Sequence, residues 1–137
     1  MVKRIAHVGI ATRSIAVTAE FYKSLGLDVD AIEIVEEQKV KVAVMAVGDS
    51  AIELIEPTDD DSPIQRSIEA RGEGIHHITF EVEDLEKQLK ALKERNIKLI
   101  DDKPRPGAEG SLIAFVHPDS TGGVLVELSQ SPAGESS

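Results

Sequence analysis

The sequence contains no cysteine, which excludes disulfides, thiolate metal sites and cysteine nucleophiles outright and accords with a reducing compartment. It also has no apolar run near the roughly 20 residues that a membrane-spanning helix needs, and Met1 leads into a charged strand rather than a secretory leader. The expectation is a soluble cytoplasmic protein. Basic residues are scarce as well: 15 Lys and Arg stand against 25 Asp and Glu, for a formal charge of −10. That balance argues against nucleic acid and anionic membranes as partners, because both demand a basic footprint. A small anionic ligand fits if some of Arg4, Arg13, Arg66, Arg71, Lys103 and Arg105 come together.

What the chain does have is a pattern that occurs twice. Ile5-Ala6-His7-Val8-Gly9-Ile10 and Ile75-His76-His77-Ile78-Thr79-Phe80 each set a histidine among alternating apolar residues ahead of a helix-like segment. Ala51-Ile52-Glu53-Leu54-Ile55 and Val124-Leu125-Val126-Glu127-Leu128 then each carry one carboxylate. His7 and His77 are 70 positions apart and Glu53 and Glu127 are 74 apart, and self-similarity at a fixed offset marks a repeated unit. With 137 residues, 41% of them hydrophobic, both copies fit in one domain with enough material for a core. The fold expected is α+β, two βαβββ modules forming a curved mixed sheet. Module 1 covers about 4–57, a linker helix about 62–72 and module 2 about 74–129.

Local signals fill in the modules. Ser14 reads as an N-cap, with Ile15, Ala19, Tyr22 and Leu25 at helical spacing and Gly26 as the stop. Strands are expected over Leu27–Val35 and Val40–Val47, with Gly48-Asp49 turning into the Glu53 strand. Ser62-Pro63 opens a short helix that ends at Gly72. Asp84 caps a helix whose Leu85, Leu89 and Leu92 form one stripe, and Ile97–Ile100 reads as a short strand. Asp101–Gly110, with two prolines and two glycines, reads as a loop long enough to be functional. Leu112–Val116 and Val124–Leu128 are the last strands, and the tail after Ser129 is expected to fray.

Side chains alternate across a strand, so His7, Glu53, His77 and Glu127 all fall opposite the apolar rows of their strands. Two imidazoles and two carboxylates without sulfur form a donor set for a divalent ion such as Zn, Co, Ni or Mn. An octahedral ion would keep two positions for substrate oxygens. His76 competes with His77, but by parity it joins Ile78 and Phe80 and reads as structural. His117 reads as a turn or pocket-wall residue, Glu81, which shares the His77 face, as a solvated strand-end carboxylate or else a support behind the ligands, and Asp59-Asp60-Asp61 as a solvated loop without calcium-loop spacing.

Several stretches carry a resemblance: Ile5 to Ala11, Phe21 to Leu27, Glu37-Gln38, Ile52 to Pro57, Gly72 to Ile78, Pro104 to Ala108, Phe115 to Pro118 and Gly122 to Leu128. In these the chain resembles the vicinal oxygen chelate superfamily, and within it the methylmalonyl-CoA epimerase family. The resemblance implies paired βαβββ modules curved around a divalent ion, here expected to be Co2+, with Zn2+, Mn2+ and Ni2+ as alternatives. It implies His7, Glu53, His77 and Glu127 as ligands, and an acyl-CoA substrate whose C2 is inverted through an enolate. It also implies a homodimer. Some family members place a basic glutamate in the strand after the Glu-Gln pair, where this chain reads Val40-Lys41-Val42-Ala43-Val44. Proton transfer then falls to Glu53, Glu127 or a water at the ion. Arg105, Lys103 and Arg71 are candidates for the coenzyme A phosphates. The alternatives are a glyoxalase I-type lyase and a non-catalytic small-molecule-binding member, against which the full His/Glu/His/Glu set argues.

Overall fold

The computed structural model describes residues 1–132. These divide into two compact units, one built from His7–His76 and the other from residues 1–6 with 77 onward. Of the tail expected to fray after Ser129, Gln130 is instead the last residue of a strand, and 133–137 lie outside the described residues. Among the described residues no helix is long and apolar enough to cross a membrane.

The unit of His7–His76 follows the order strand, helix, three strands, helix. Its elements are β1 (Val2–Ala11, from His7 onward), α1 (Ile15–Ser24), β2 (Ala31–Val35), β3 (Val40–Val47), β4 (Ser50–Pro57) and α2 (Pro63–Arg71). The sheet order is β2-β3-β4-β1, with β1 and β4 parallel and the other pairs antiparallel. Ser14 Oγ accepts from the Val17 amide, and Ser62 Oγ from the Ile64 amide, each at 3.2 Å. The two N-caps therefore start the helices where the sequence places them. Ile15 and Ala19 of α1 pack on Ala43, Met45 and Leu54, whereas Ile64 and Ile68 of α2 pack on Ala11, Val40, Val42 and Ile55. Residues of opposite parity on β3 and β4 serve the two clusters, so the helices cover opposite faces of this sheet. Glu53 shares its row with Ile55, and His7 shares its row with Ala11. The Glu53 face is thus apolar and helix-covered at the Ala11–Ile55 end, which the sequence reading did not foresee.

The second unit contains β5 (Gly74–Val82, from His77 onward), α3 (Leu85–Glu94), β6 (Arg105–Pro106), β7 (Leu112–Val116) and β8 (Leu125–Gln130). Its sheet order is β5-β8-β7-β6, again with one parallel pair, β5 with β8. Asp84 Oδ1 accepts from the Lys87 amide at 3.1 Å. The leucine stripe of α3 packs on Val82, Ala114, Val116 and Leu128, with Phe80 and Val126 at its margin. Burying each such aliphatic side chain stabilises by about 1.5–3 kcal/mol.

Two strand expectations need correction. Leu27–Val35 is a strand only from Ala31, and Ile97–Ile100 forms a lone bridge, Leu99 to Val116, instead of a strand. The cause is the same in both copies. Gly26 and Asn96 turn left-handed (φ 95° and 59°), and the amides of Leu27 and Ile97 reach back to the carbonyls of Tyr22 and Leu92 at 3.2 and 3.1 Å. Those amides close the preceding helix in the 6→1 manner and cannot enter a ladder. The fourth strand of the second copy is β6, inside the stretch expected to be a loop.

The repeat also shows in contacts invisible to pattern reading. Glu56 Oε1 accepts from the Ile15 amide and Gln130 Oε1 from the Leu85 amide, both at 2.7 Å. These pairs sit at the same offsets, 70 and 74, as the His and Glu pairs. In the first unit Glu73 Oε2 accepts from the Arg13 amide at 2.8 Å and from Thr12 Oγ1 at 3.0 Å. The Arg13 amide, then the Thr12 hydroxyl, hold its carboxyl below the ordinary glutamate value. A depressed carboxyl contributes stability above its unfolded pKa and loses that contribution as pH falls through the folded one. Glu73→Gln should therefore lower Tm by more at pH 7 than at pH 3. A melting difference of unchanged size at both pH values would contradict this account.

Candidate metal and acid–base site

Each unit brings one imidazole to one carboxylate. In the first, His7 Nδ1 lies 3.4 Å from Glu53 Oε2, with side chains 20% and 24% exposed. In the second, His77 Nε2 lies 3.9 Å from Glu127 Oε1, with side chains 11% and 14% exposed. The strand register explains the equivalence. Gly9 stands opposite Glu53 in the parallel β1/β4 pair, and Thr79 opposite Glu127 in the parallel β5/β8 pair. Each histidine sits two residues before that partner, hence on the same face. His77, Thr79 and Glu81 form a buried polar row on β5, while Phe80 and Val82 face α3. His76 lies on the opposite row to His77, as parity predicts. Burial, and secondarily Arg71, push its imidazole below the usual range.

The environment of Glu127 suits a cation. Burial raises its carboxyl above the ordinary glutamate value, against opposing contributions from the Thr79 hydroxyl and the Arg105 charge. A shielded carboxylate of this kind gains from a positive ion placed beside it. With an imidazole as neighbour in each copy, the donor set fits a borderline divalent ion.

Glu81 departs from the expected solvated carboxylate. It is 2% exposed, and its oxygens take Lys3 Nζ at 3.1 Å and Arg4 Nη2 at 2.9 Å. Two cations hold it on the His77 row, so its charge is compensated inside its own unit. The shared parity of Glu81 and His77 was the available signal; Lys3 and Arg4 as its partners were not legible. His117 behaves as the turn residue it was read to be, its Nδ1 accepting from the Asp119 amide at 3.0 Å. Asp59, Asp60 and Asp61 are exposed. On β3, Val44 pairs directly with Glu53 and Val42 lies one row along, so no carboxylate accompanies Glu53 from that strand.

The stretch read as a functional loop is more ordered than expected. Arg105 pairs with Ile113 in the β6/β7 ladder, its guanidinium lies 5.3 Å from the centre of the Phe115 ring, and its Nε meets Asp101 Oδ1 at 3.2 Å. Phe115 is in turn the β7 partner of Glu127. Gly107 fixes the turn, because a Cβ there would come within 2.7 Å of both Ile113 Cγ2 and Ser111 Oγ. Lys103 and Arg71 are exposed.

Comparison with known proteins points in one direction. Residues 6–115 match the sequence model of the glyoxalase/bleomycin resistance protein/dioxygenase superfamily. An uncharacterized protein of Bacillus subtilis is 47% identical over 96% of this chain and 94% of its own. The ethylmalonyl-CoA/methylmalonyl-CoA epimerase of Cereibacter sphaeroides is 35% identical over 95% of this chain and 99% of its own. Among solved structures, a variant of the Streptomyces coelicolor methylmalonyl-CoA epimerase in complex with 2-nitronate-propionyl-CoA superposes with a TM-score of 0.84. It shares 37% identity, with both chains covered in full.

Proposed function

We propose that this chain, which belongs to the glyoxalase/bleomycin resistance protein/dioxygenase superfamily, is an epimerase that interconverts the (R) and (S) forms of methylmalonyl-CoA. The observation that carries the reading is the imidazole–carboxylate pair repeated at matching register in the two units, in a chain full-length similar to acyl-CoA epimerases. His7, Glu53, His77 and Glu127 would hold one divalent ion, Co2+ first, with Zn2+, Mn2+ or Ni2+ as substitutes. Each unit offers it one imidazole and one carboxylate, His7 with Glu53 in one and His77 with Glu127 in the other. Such an ion, when bound, supplies Lewis-acid stabilisation of the charge that develops on the acyl oxygens, worth several kcal/mol.

The chain's own residues do the rest. The C2 hydrogen lies between a thioester and a carboxylate, and inversion requires its removal from one face and replacement on the other. Glu53 and Glu127 are the two groups proposed for this, one for each face. A positioned acid or base contributes about 10²–10⁴-fold. Burial raises the Glu127 carboxyl in the ion-free chain, and a bound divalent ion would oppose that shift. Arg105, braced on Phe115 and felt at Glu127, is the cation best placed for an anionic substrate group. Lys103 and Arg71 remain candidates for the phosphates. A homodimer accords with Ile32 and Ile34, exposed on the edge strand β2.

The test follows the proton. In deuterated water the Co2+-loaded protein should place deuterium at C2 of methylmalonyl-CoA while interconverting the epimers, and should not turn over the glutathione–methylglyoxal adduct. Binding of methylmalonyl-CoA without hydrogen exchange would sink the epimerase reading, and turnover of the adduct would support the lyase instead.

A further inference from the structure

The two glutamates occupy equivalent places in the repeat, yet their direct strand partners differ. Opposite Glu53 stands Gly9, which has no side chain; opposite Glu127 stands Thr79. Thr79 is 2% exposed and its hydroxyl donates to Glu127 Oε1 at 2.6 Å. That length is characteristic of a hydroxyl bound to an ionised carboxylate. Threonine is branched at Cβ and therefore stiff about χ1, so its hydroxyl is a fixed post rather than a swinging donor. A fixed donor of this kind narrows the orientations open to the Glu127 carboxylate.

We propose that Thr79 is a positioning residue, which holds the Glu127 carboxylate in the orientation that receives a divalent ion. Glu127 is thereby set before the ion arrives, and the entropy of fixing it is spent in folding rather than in binding. Glu53 has no equivalent support at position 9. The inference deepens the metal reading above and rests on it. Removing a hydrogen-bonding partner of a metal ligand typically weakens affinity about 10–100-fold.

The experiment titrates Co2+ into the full chain by calorimetry and records the visible Co2+ spectrum, for wild type, Thr79→Val and Thr79→Ser. Valine keeps the shape and stiffness and loses the hydroxyl; serine keeps the hydroxyl. Thr79→Val should bind Co2+ about 10–100-fold more weakly, with an altered spectrum and unchanged circular dichroism, and Thr79→Ser should recover most of the affinity. Should Thr79→Val not fold, Thr79→Ala set against Thr79→Ser carries the same contrast. Equal affinity in wild type and the hydroxyl-free variant overturns the inference, as does a serine variant that is equally weak, which would assign the effect to packing. Wild type that takes up no Co2+ overturns the metal reading itself and this inference with it, a result distinct from the other two.

Discussion

Glu127→Gln should suppress both deuterium incorporation at C2 and inversion of methylmalonyl-CoA, by about 10²–10⁴-fold if the carboxylate acts only as an acid–base group. Glutamine keeps the size of the side chain and an oxygen that can accept from Thr79 Oγ1, now 2.6 Å away. It loses the charge and the exchangeable proton. Because Glu127 is also a proposed ligand, metal content has to be measured on the same sample. A variant with its full complement of Co2+ and no exchange would isolate the proton-transfer role. A variant that has lost the ion would show that ligation dominates. Undiminished exchange in Glu127→Gln would remove Glu127 from the chemistry.

The second large effect concerns two adjacent histidines. His77→Ala should weaken Co2+ binding by well over the roughly 100-fold that loss of a supporting partner can cost, whereas His76→Ala should change it little. The contrast follows from alternation along β5. His77 sits on the buried polar row with Thr79 and Glu81 and lies 3.9 Å from Glu127 Oε1. His76 points to the other side, where burial already disfavours its charged form. Chelator treatment of wild type should abolish activity, and added Co2+ should restore it. If His76→Ala proves the more damaging change, the assignment of faces on β5 is wrong.

That assignment could be made before any coordinates because a strand has a period of two and the chain states its pattern twice. The offsets of 70 and 74 singled out His7, His77, Glu53 and Glu127 from a background of 25 acidic residues, and the β1/β4 and β5/β8 registers realise those offsets row for row. Helix starts were legible too, because Ser14, Ser62 and Asp84 cap through short local bonds. Contacts that join distant segments were not. Nothing in the sequence tells that Lys3 and Arg4 close on Glu81, 77 or more residues away. The strand expected to start at Leu27 and the one expected over Ile97–Ile100 failed for a local reason that the pattern hides, since alternation persists through Leu27 and Ile97, whose amides are committed to the helix before them. The helix α2 covering part of the Glu53 face was likewise invisible, because a linker's docking side depends on the tertiary path of the chain.

The Gln130 side chain that meets the Leu85 amide bears on how this protein can be cut and joined. A chain ended at Leu128, the last residue of the apolar core row on β8, would look complete by hydrophobic content. It would nevertheless leave the first amide of α3 without its acceptor, at a cost of about 1–3 kcal/mol for a group already withdrawn from water. The leucine stripe under that helix would then loosen from its amino end. Fusions and truncations should keep Gln130. Its counterpart Glu56 lies in mid-chain, where no such cut arises, so the two copies of one device differ in their exposure to the engineer's scissors.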